Sequence, residues 1–555
     1  MTRYSHRFVF AASAAFAFAA AAPAWSQSQA VPSGPLTLEQ VLALAEVRSE
    51  AIAMARASVL RAEGNQVRAR SGRFPQLSAS AAYDRALASE FEGIFDGAAG
   101  PPCRPFMPDP SATLDERLAE LERAVDCGAG GGNIFGGGGD ATELPFGREN
   151  TWRVNLQFSQ TVYSGGRLGA QAEAAAAGRE SAELALTSTR AQLLFDVTQA
   201  YYDAALSDRL VQIAEATVQQ AEATLQVVQA GFKAGTQPEF ELLRARVARD
   251  NQAPALIRQR ANREIAILRL KQLVDLPPGY DLQLAASLEA PVLPAPAAFA
   301  PVVAPIEAKL VAGDRPIAED GLPAMPERTA VQEIGSVVRL REAAVDAARA
   351  ERFPSVAINS SYGRVAYPTG AVPGFDDFRT NWTIGATVQV PILTGGRLRG
   401  DELVARADLE QSQAQLQQVQ ELAALDTRSA WAELVAARAS WEASSGTIRQ
   451  AVRAYEIADV RYRAGVSTQL ELSDARLLLQ QAEANRAQAA RDLQVARARI
   501  ALLPDLPLPA GGAGATIQPQ FTLPVSPQSP QALPGADQLR NASTPQPSNQ
   551  IGARQ

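Results

Sequence analysis

The chain has 555 residues, of which 46% are hydrophobic and 20% charged, with a formal net charge of −7 and a single histidine, His6. No basic cluster marks a nucleic-acid partner. With its only imidazole at position 6, the rest of the chain can build neither a Ser–His or Cys–His nucleophile pair nor an imidazole metal ligand. That points away from an enzyme and implies no cofactor or metal; a pair of catalytic carboxylates is the formal exception.

The first 26 residues, MTRYSHRFVFAASAAFAFAAAAPAWS, combine a basic start (Arg3, Arg7), an apolar run and small residues around Ala22-Pro23-Ala24 and Ser26. They read as a secretory signal peptide, cut after about residue 24 or 26. Losing Arg3 and Arg7 takes the net charge from −7 to about −9. No cysteine follows the cut, so an acylated lipoprotein is not indicated. Beyond the leader no run of about 18 apolar residues marks a membrane-spanning helix.

An N-terminal segment 27–74 follows, helical from Thr37 to Phe74. The motif RFP then opens a first hairpin, 75–163, whose first strand alternates through Leu77, Ala79, Ala81 and Tyr83. An insertion, 90–148, holds the tracts PPCRPFMPDP and GGGNIFGGGG and reads as a long loop at the hairpin tip with a short helix around Ser111 to Val125. Both cysteines, Cys103 and Cys127, lie in it. Export to an oxidising compartment predicts a disulfide, with two unpaired loop thiols as the alternative.

The second strand, WRVNLQFSQTVY, sets Trp152, Val154, Leu156, Phe158 and Val162 against Arg153, Asn155, Gln157, Ser159 and Thr161. That is a period of two. Gly165-Gly166-Arg167 forms a corner into a proline-free helix from Leu168 to Lys233, roughly 100 Å long at 1.5 Å per residue. The turn FKAGT and a return helix from Pro238 to Leu276, kinked at Pro254, complete a helical hairpin, 164–276. A connector rich in proline and alanine, 277–326, leads to a second helix, 327–353.

The pattern then repeats. ERFPSV (351–356) matches GRFPQL (72–77) at an offset of 279, and a second strand hairpin, 354–392, follows. Trp382, Ile384, Ala386, Val388, Val390 and Ile392 repeat the alternation of the first Trp strand. Trp382, the corner Gly395-Gly396-Arg397 and the turn YRAGV lie 230 positions after Trp152, Gly165-Gly166-Arg167 and FKAGT. A second helical hairpin, 393–506, repeats the first, and the Pro/Gln/Ser/Gly-rich tail 507–555 reads as disordered. The chain is thus a tandem internal repeat.

Four alternating strands of 9–12 residues with aromatic ends suit an outer-membrane barrel, although a soluble half-buried hairpin alternates identically. Four strands cannot close a barrel, and open edges do not survive in lipid, so several chains would share one barrel. A phosphate-binding reading of SGGRLG lacks the P-loop lysine.

On the duplication, the strand–GGR–helix corners, the RFP entries and the tips YRAGVSTQLELSDA and FKAGTQPEFELLRA, the chain resembles the TolC family of outer-membrane efflux and secretion channels over roughly 35–506. The resemblance implies a mainly α fold with a β-barrel part. In it a homotrimer contributes four strands per chain to a shared 12-stranded barrel in outer-membrane lipid and forms a long periplasmic α-helical barrel. It implies an exit duct, meeting a periplasmic adaptor (membrane fusion) protein and an inner-membrane pump of the RND or ABC type, for efflux or type I secretion in a Gram-negative bacterium. Carried over residue by residue, it places Glu471, Asp474, Tyr462 and Glu241 at a periplasmic gate. Ala234, Gly235 and Thr236 with Ala464, Gly465 and Val466 become tips that contact the adaptor. Three copies would make Glu471 and Asp474 rings of carboxylates that favour cations and raise one another's pKa. Glu471 also fits a capping box with Thr468, as Glu239 does with Thr236, and glycine at the tips could serve only to turn the chain. The family's best-known member carries an arginine two residues after the tip glycine, locking the hairpins by ion pairs. Ser467 stands there, leaving Arg461, Arg463 or Arg244 as substitutes with Glu241 as an acceptor. The competing reading is a periplasmic structural or adaptor protein built on long helical hairpins without a pore.

Overall fold

In the computed structural model the period-two segments form one sheet and the Ala/Gln/Glu/Arg-rich segments form helices. The structure describes residues 34–88, 106–107, 109–130, 149–286, 288–290, 293–311, 327–368 and 370–509. The signal peptide, Cys103, connector residues 312–326 and the tail from 510 onward lie outside them, so the disulfide expectation has only Cys127 on a described backbone.

The elements in chain order are α1 (Leu38–Arg48), α2 (Glu50–Ser71), β1 (Gln76–Arg85), α3 (Leu114–Gly130), β2 (Asn150–Tyr163), α4 (Arg167–Lys233), α5 (Glu239–Leu273), α6 (Ala300–Val311), α7 (Thr329–Ala350), β3 (Ser355–Ala366), β4 (Phe378–Gln389), α8 (Arg397–Arg463) and α9 (Gln469–Leu502). The helix read across Thr37–Phe74 is two helices. Ser49 adopts an extended conformation (φ −62, ψ 124) between them and is the N-cap of the second, a position serine favours over a helix interior. Helix α5 runs on through Pro254. Strand β4 starts at Phe378 and stops at Gln389, short of Val390 and Ile392, because Pro391 offers no ladder N–H and holds Val390 outside regular pairing.

The four strands form one antiparallel sheet in the order β1-β2-β3-β4. Register puts Tyr83 opposite Trp152, Leu156 opposite Tyr362, and Tyr362 opposite Trp382. One face is therefore mainly apolar and aromatic, interrupted by Gln160, Ser360 and, toward the loop end, Arg85, Asn150, Arg364 and Thr380, and the other is built mostly from Ser, Thr, Asn and Gln with an Arg153–Asp84 ion pair at 3.0 Å. The β2–β3 pairing joins the two repeats directly. A bulge at Thr161–Tyr163 brings Tyr163, not Val162, opposite Val356, so the alternation expected for Val162 ends early. Among the described residues the outer edges of β1 and β4 are unpaired.

Helices α4 and α8 have 67 residues each. α4 packs against α5 and α7 on the one hand and α2 and α9 on the other, and α8 packs against α7 and α9. Alanine is the commonest buried residue of α4, as at Ala172, Ala174, Ala177 and Ala191, whereas α8 buries Ala423 and Ala430 beside larger side chains such as Trp431 and Leu434. Small side chains let backbones approach closely, which explains a fold with long helices and no wide apolar stripe. The main core gathers at mid-helix level, where α1, Tyr201 of α4, Leu270 of α5, the connector, Trp431 and Leu434 of α8 and Ile500 of α9 meet. Burial pushes the Tyr201 hydroxyl up to about 12, and that hydroxyl donates to Leu36 O at 3.1 Å. Beside this core Arg328, 7% exposed, pairs with Asp426 at 2.9 Å and donates to Leu506 O. Arg497 binds Glu307 and Leu293 O at 2.7 and 2.8 Å. These bonds tie the connector and the end of α9 to the long helices.

Each strand-to-helix corner is made by two glycines in the left-handed region: Gly165 and Gly166 (φ 63 and 95), and Gly395 and Gly396 (φ 58 and 91). The second RFP entry packs against the first of these corners. A Cβ on Gly165 would come within 2.6 Å of Phe353 Cβ and 2.7 Å of Ala350 O. Arg352 reaches Glu402 of α8, a carboxylate 7% exposed that also meets Arg349 and Arg406. Burial alone would raise the Glu402 pKa, but Arg352 and Arg406 outweigh it and hold it below the ordinary glutamate value. Gly165→Ala combines left-handed strain of about 1–2 kcal/mol with a backbone collision of about 1–3 kcal/mol. Gly166→Ala, with open space around it, meets only the strain. Thermal melts followed by circular dichroism should rank Gly165→Ala clearly below Gly166→Ala; equal melts would remove the collision from the account.

Candidate functional site: the hairpin tips

The two helical hairpins end in the same turn. Gly235 and Gly465 have φ 74 and 71. Thr236 N donates to Gly231 O and Gly235 N to Phe232 O; Val466 N donates to Arg461 O and Gly465 N to Tyr462 O. Both pairs complete Schellman motifs, with glycine at the left-handed position. Ala234 and Ala464 are the C-caps of α4 and α8. The tip residues Ala234, Gly235 and Thr236, and Ala464, Gly465 and Val466, are thus held as exposed turns by backbone bonds alone, apart from the Thr236 hydroxyl, which also donates to Gly231 O.

The two helices that leave the tips start differently. Thr468 caps α9, its hydroxyl accepting from Glu471 N at 3.3 Å. The equivalent N-cap of α5 is Pro238, not Thr236, so the box expected between Thr236 and Glu239 does not form. The Glu471 carboxylate faces Arg461, 3.9 Å away and half exposed. Glu471 therefore serves the cap through its backbone N–H, while its half-exposed carboxylate pairs with Arg461 at the surface.

Helix α9 buries Gln469, Leu472, Ala475 and Arg476. Glu471 and Asp474 lie on the opposite, exposed face together with Leu470, Leu477 and Leu478. Asp474 has no ion-pair partner among the described residues. The spacing of three puts both carboxylates on one helix face.

Tyr462 lies elsewhere. It packs on Val228 and Leu242 of the first hairpin, so it joins the hairpins within one chain. Burial, then the nearby Glu241 carboxylate, pushes its hydroxyl above the usual tyrosine value. Glu241 Oε2 is buried without a hydrogen-bond partner in the chain, as are Ser467 Oγ and Gln469 Oε1. Among the described residues Glu241 pairs with neither Arg244, Arg461 nor Arg463. Arg461 instead faces Glu471, and Arg463 pairs with Asp459 at 3.0 Å. The sequence reading missed Arg476, a buried arginine near Tyr455 whose burial lowers its pKa. A charged residue at an α9 core position gives no signal of its own in the sequence.

Tyr462→Ala removes a half-buried ring, worth about 1 kcal/mol of hairpin contact. Limited trypsinolysis should then cut faster at Lys233, Arg461 and Arg463; unchanged cleavage would show that the ring does not hold the tips together.

The family model for outer membrane efflux protein matches residues 140–275 and 325–503, one stretch in each repeat. Protein CyaE of Bordetella pertussis is 26% identical over 325 residues, 59% of this chain and 64% of that protein. Outer membrane protein OprJ of Pseudomonas aeruginosa is 28% identical over 138 residues, 25% of this chain and 28% of that one. The matches thus span less than two thirds of either relative. Among solved structures, the Campylobacter jejuni CmeC outer membrane channel superposes with a TM-score of 0.63 at 15% identity, covering 84% of this chain and 86% of that one. The outer membrane protein VceC of Vibrio cholerae gives 0.60 at 17% identity, over 84% and 96%. These likenesses show the fold: mainly helical, with one four-stranded antiparallel sheet. With its family match covering both repeats, the chain belongs to the outer membrane efflux protein family.

Proposed function

We propose that the chain is one protomer of a trimeric outer-membrane exit duct, which passively conducts substrates handed over by an inner-membrane pump and a periplasmic adaptor. The observation that carries this reading is the sheet. It has a mainly apolar face, a polar face and two unpaired edges, and it passes through glycine corners into helices of 67 residues. Such a sheet is stable in lipid only when its edges are paired. Three copies give 12 strands with the apolar face outward and the Ser/Thr/Asn/Gln face lining a water-filled lumen. No described helix is long and apolar enough to cross a membrane, so membrane insertion falls to the strands.

The repeat supplies the seam. Shifting the β2–β3 register by the offsets of 230 and 279 pairs β4 with a neighbouring β1. Phe158 opposite Ser360 becomes Val388 opposite Ala81 of the partner subunit. At the far end, the exposed carboxylates Glu471 and Asp474 become constriction rings. The tips at Ala234–Thr236 and Ala464–Val466 meet the adaptor. Tyr462 and Glu241 join neighbouring hairpins of the gate. Export would also oxidise Cys103 and Cys127 to a disulfide in the loop 90–148.

Single-channel recordings in planar bilayers test the duct. Wild type should give small cation-selective steps, and Glu471→Ala/Asp474→Ala should give larger or less selective ones. Equal steps would move the constriction elsewhere, and no conductance from trimeric protein would favour a pore-free helical scaffold. The seam is tested in a Cys103→Ser/Cys127→Ser background. Oxidation of Ala81→Cys/Val388→Cys should yield covalent trimers, and Ala82→Cys/Val388→Cys, one residue out of register, should not. Monomers in both would refute the seam.

A further inference from the structure

The apolar face of the sheet carries two charged side chains, and the internal repeat puts them in equivalent places. AAYDR (81–85) and SSYGR (360–364) are offset by the same 279 as the two RFP motifs. By register, Arg85 lies opposite Asn150, and Arg364 lies between Val154 and Thr380. Every other strand residue on this face is uncharged. The charges Asp84, Arg153 and Arg379 are on the opposite face.

The surroundings of the two arginines have the chemistry of a membrane boundary. Each stands two residues beyond a tyrosine that contacts a tryptophan: Tyr83 with Trp152 at 4.8 Å between ring centroids, and Tyr362 with Trp382 at 6.3 Å. Aromatic belts of this kind sit at headgroup level. Both arginines are at the loop end of the sheet, away from the helix corners. Arg364 lies over the Phe378 ring at 5.4 Å. Its Nε is buried and unbonded, and no carboxylate pairs with it among the described residues. Arg85 has only an exposed pair with Glu149 at 3.4 Å. Two guanidinium groups therefore face the hydrocarbon boundary with donor capacity that the protein leaves unused. A phosphate matches that fork of donors in charge and geometry.

We propose that Arg85 and Arg364 form a repeated cationic site for phosphate-bearing lipid headgroups in the leaflet at the loop end of the sheet. The proposal rests on the outer-membrane duct reading above. A lipid suits the site better than free phosphate, because the flanking surface, with Val154, Leu156 and Ile384, is acyl-chain chemistry. In a three-copy barrel the site would recur on every second strand.

Binding of bisphosphorylated lipid A to the purified trimer in neutral detergent tests it. Wild type should bind in a salt-dependent way. Arg85→Gln/Arg364→Gln should weaken binding about fivefold per arginine, Arg85→Lys/Arg364→Lys should keep most of it, and Arg379→Gln on the other face should leave it unchanged. Undiminished binding by the double glutamine variant would overturn the proposal. So would full displacement by inorganic phosphate equimolar with the lipid A, which would mark a site for free anions. Conductance of the same preparations separates the two claims. A double variant that conducts like wild type but binds weakly is a folded barrel that lacks the site. A wild type without conductance refutes the duct, whatever it binds.

Discussion

The fold depends on a change of period at two corners. A strand repeats its faces every two residues and a helix every 3.6, so a chain that passes directly from one to the other must reset its direction within a few residues. Gly165-Gly166 and Gly395-Gly396 do this with consecutive left-handed residues, a backbone path that costs any side chain about 1–2 kcal/mol per position. The corner fixes where the sheet face ends and where α4 and α8 begin. It also explains what the RFP motif does there. Phe353 closes over Gly165, and Arg352 reaches across to Glu402 at the start of α8, so strand entry and strand exit are fastened at the same level.

The rest of the stability is unevenly spread along the helices. The large side chains and the buried ion pairs collect at mid-length, around Tyr201, Trp431 and the Arg328–Asp426 pair. Removing one partner of such a pair strands a buried charge at a cost of about 3–5 kcal/mol. Toward the tips the packing thins to a small cluster of Val228, Leu242 and Ala245 with Tyr462 against it. A tip held by few apolar contacts belongs to the low-stability end of a structure, from which moving parts are drawn. A firm waist and loosely fastened tips suit the proposed duct with its gate at one end.

Much of this was legible in the sequence because periodicity and glycine are local signals. Trp152–Tyr163 announced its strand by alternation, and GGRL announced its corner by residue type. The illegible parts depend on distant partners. Nothing near Ser49 shows that α1 must bend into the core beneath the connector. The β2–β3 pairing that unites the repeats joins segments some 200 residues apart. Thr236 matched a capping motif by spacing, but the helix start is set by Pro238 two residues later. The gate roles proposed for Glu471 and Asp474 rest on resemblance, and the structure adds that both are on the unburied face of α9 while Tyr462 packs on the other hairpin.

Duplication gives this chain a particular kind of incompleteness. The junction between repeats is present once inside the protomer, as β2 against β3 and Phe353 against Gly165. Its counterpart is present only as two separated halves: β4 with Gly395, where a Cβ would meet nothing within 4 Å, and β1 with Phe74. A chain that had evolved to stand alone would blunt both strand edges. In the assembly proposed above, the uncovered halves are matched by the same offsets that define the repeat, so the internal junction would be a template for the junction between copies. Protomer stability and assembly are then one quantity. An isolated chain would carry a complete waist but an unfinished sheet, and its last stabilising contacts would come from copies of itself.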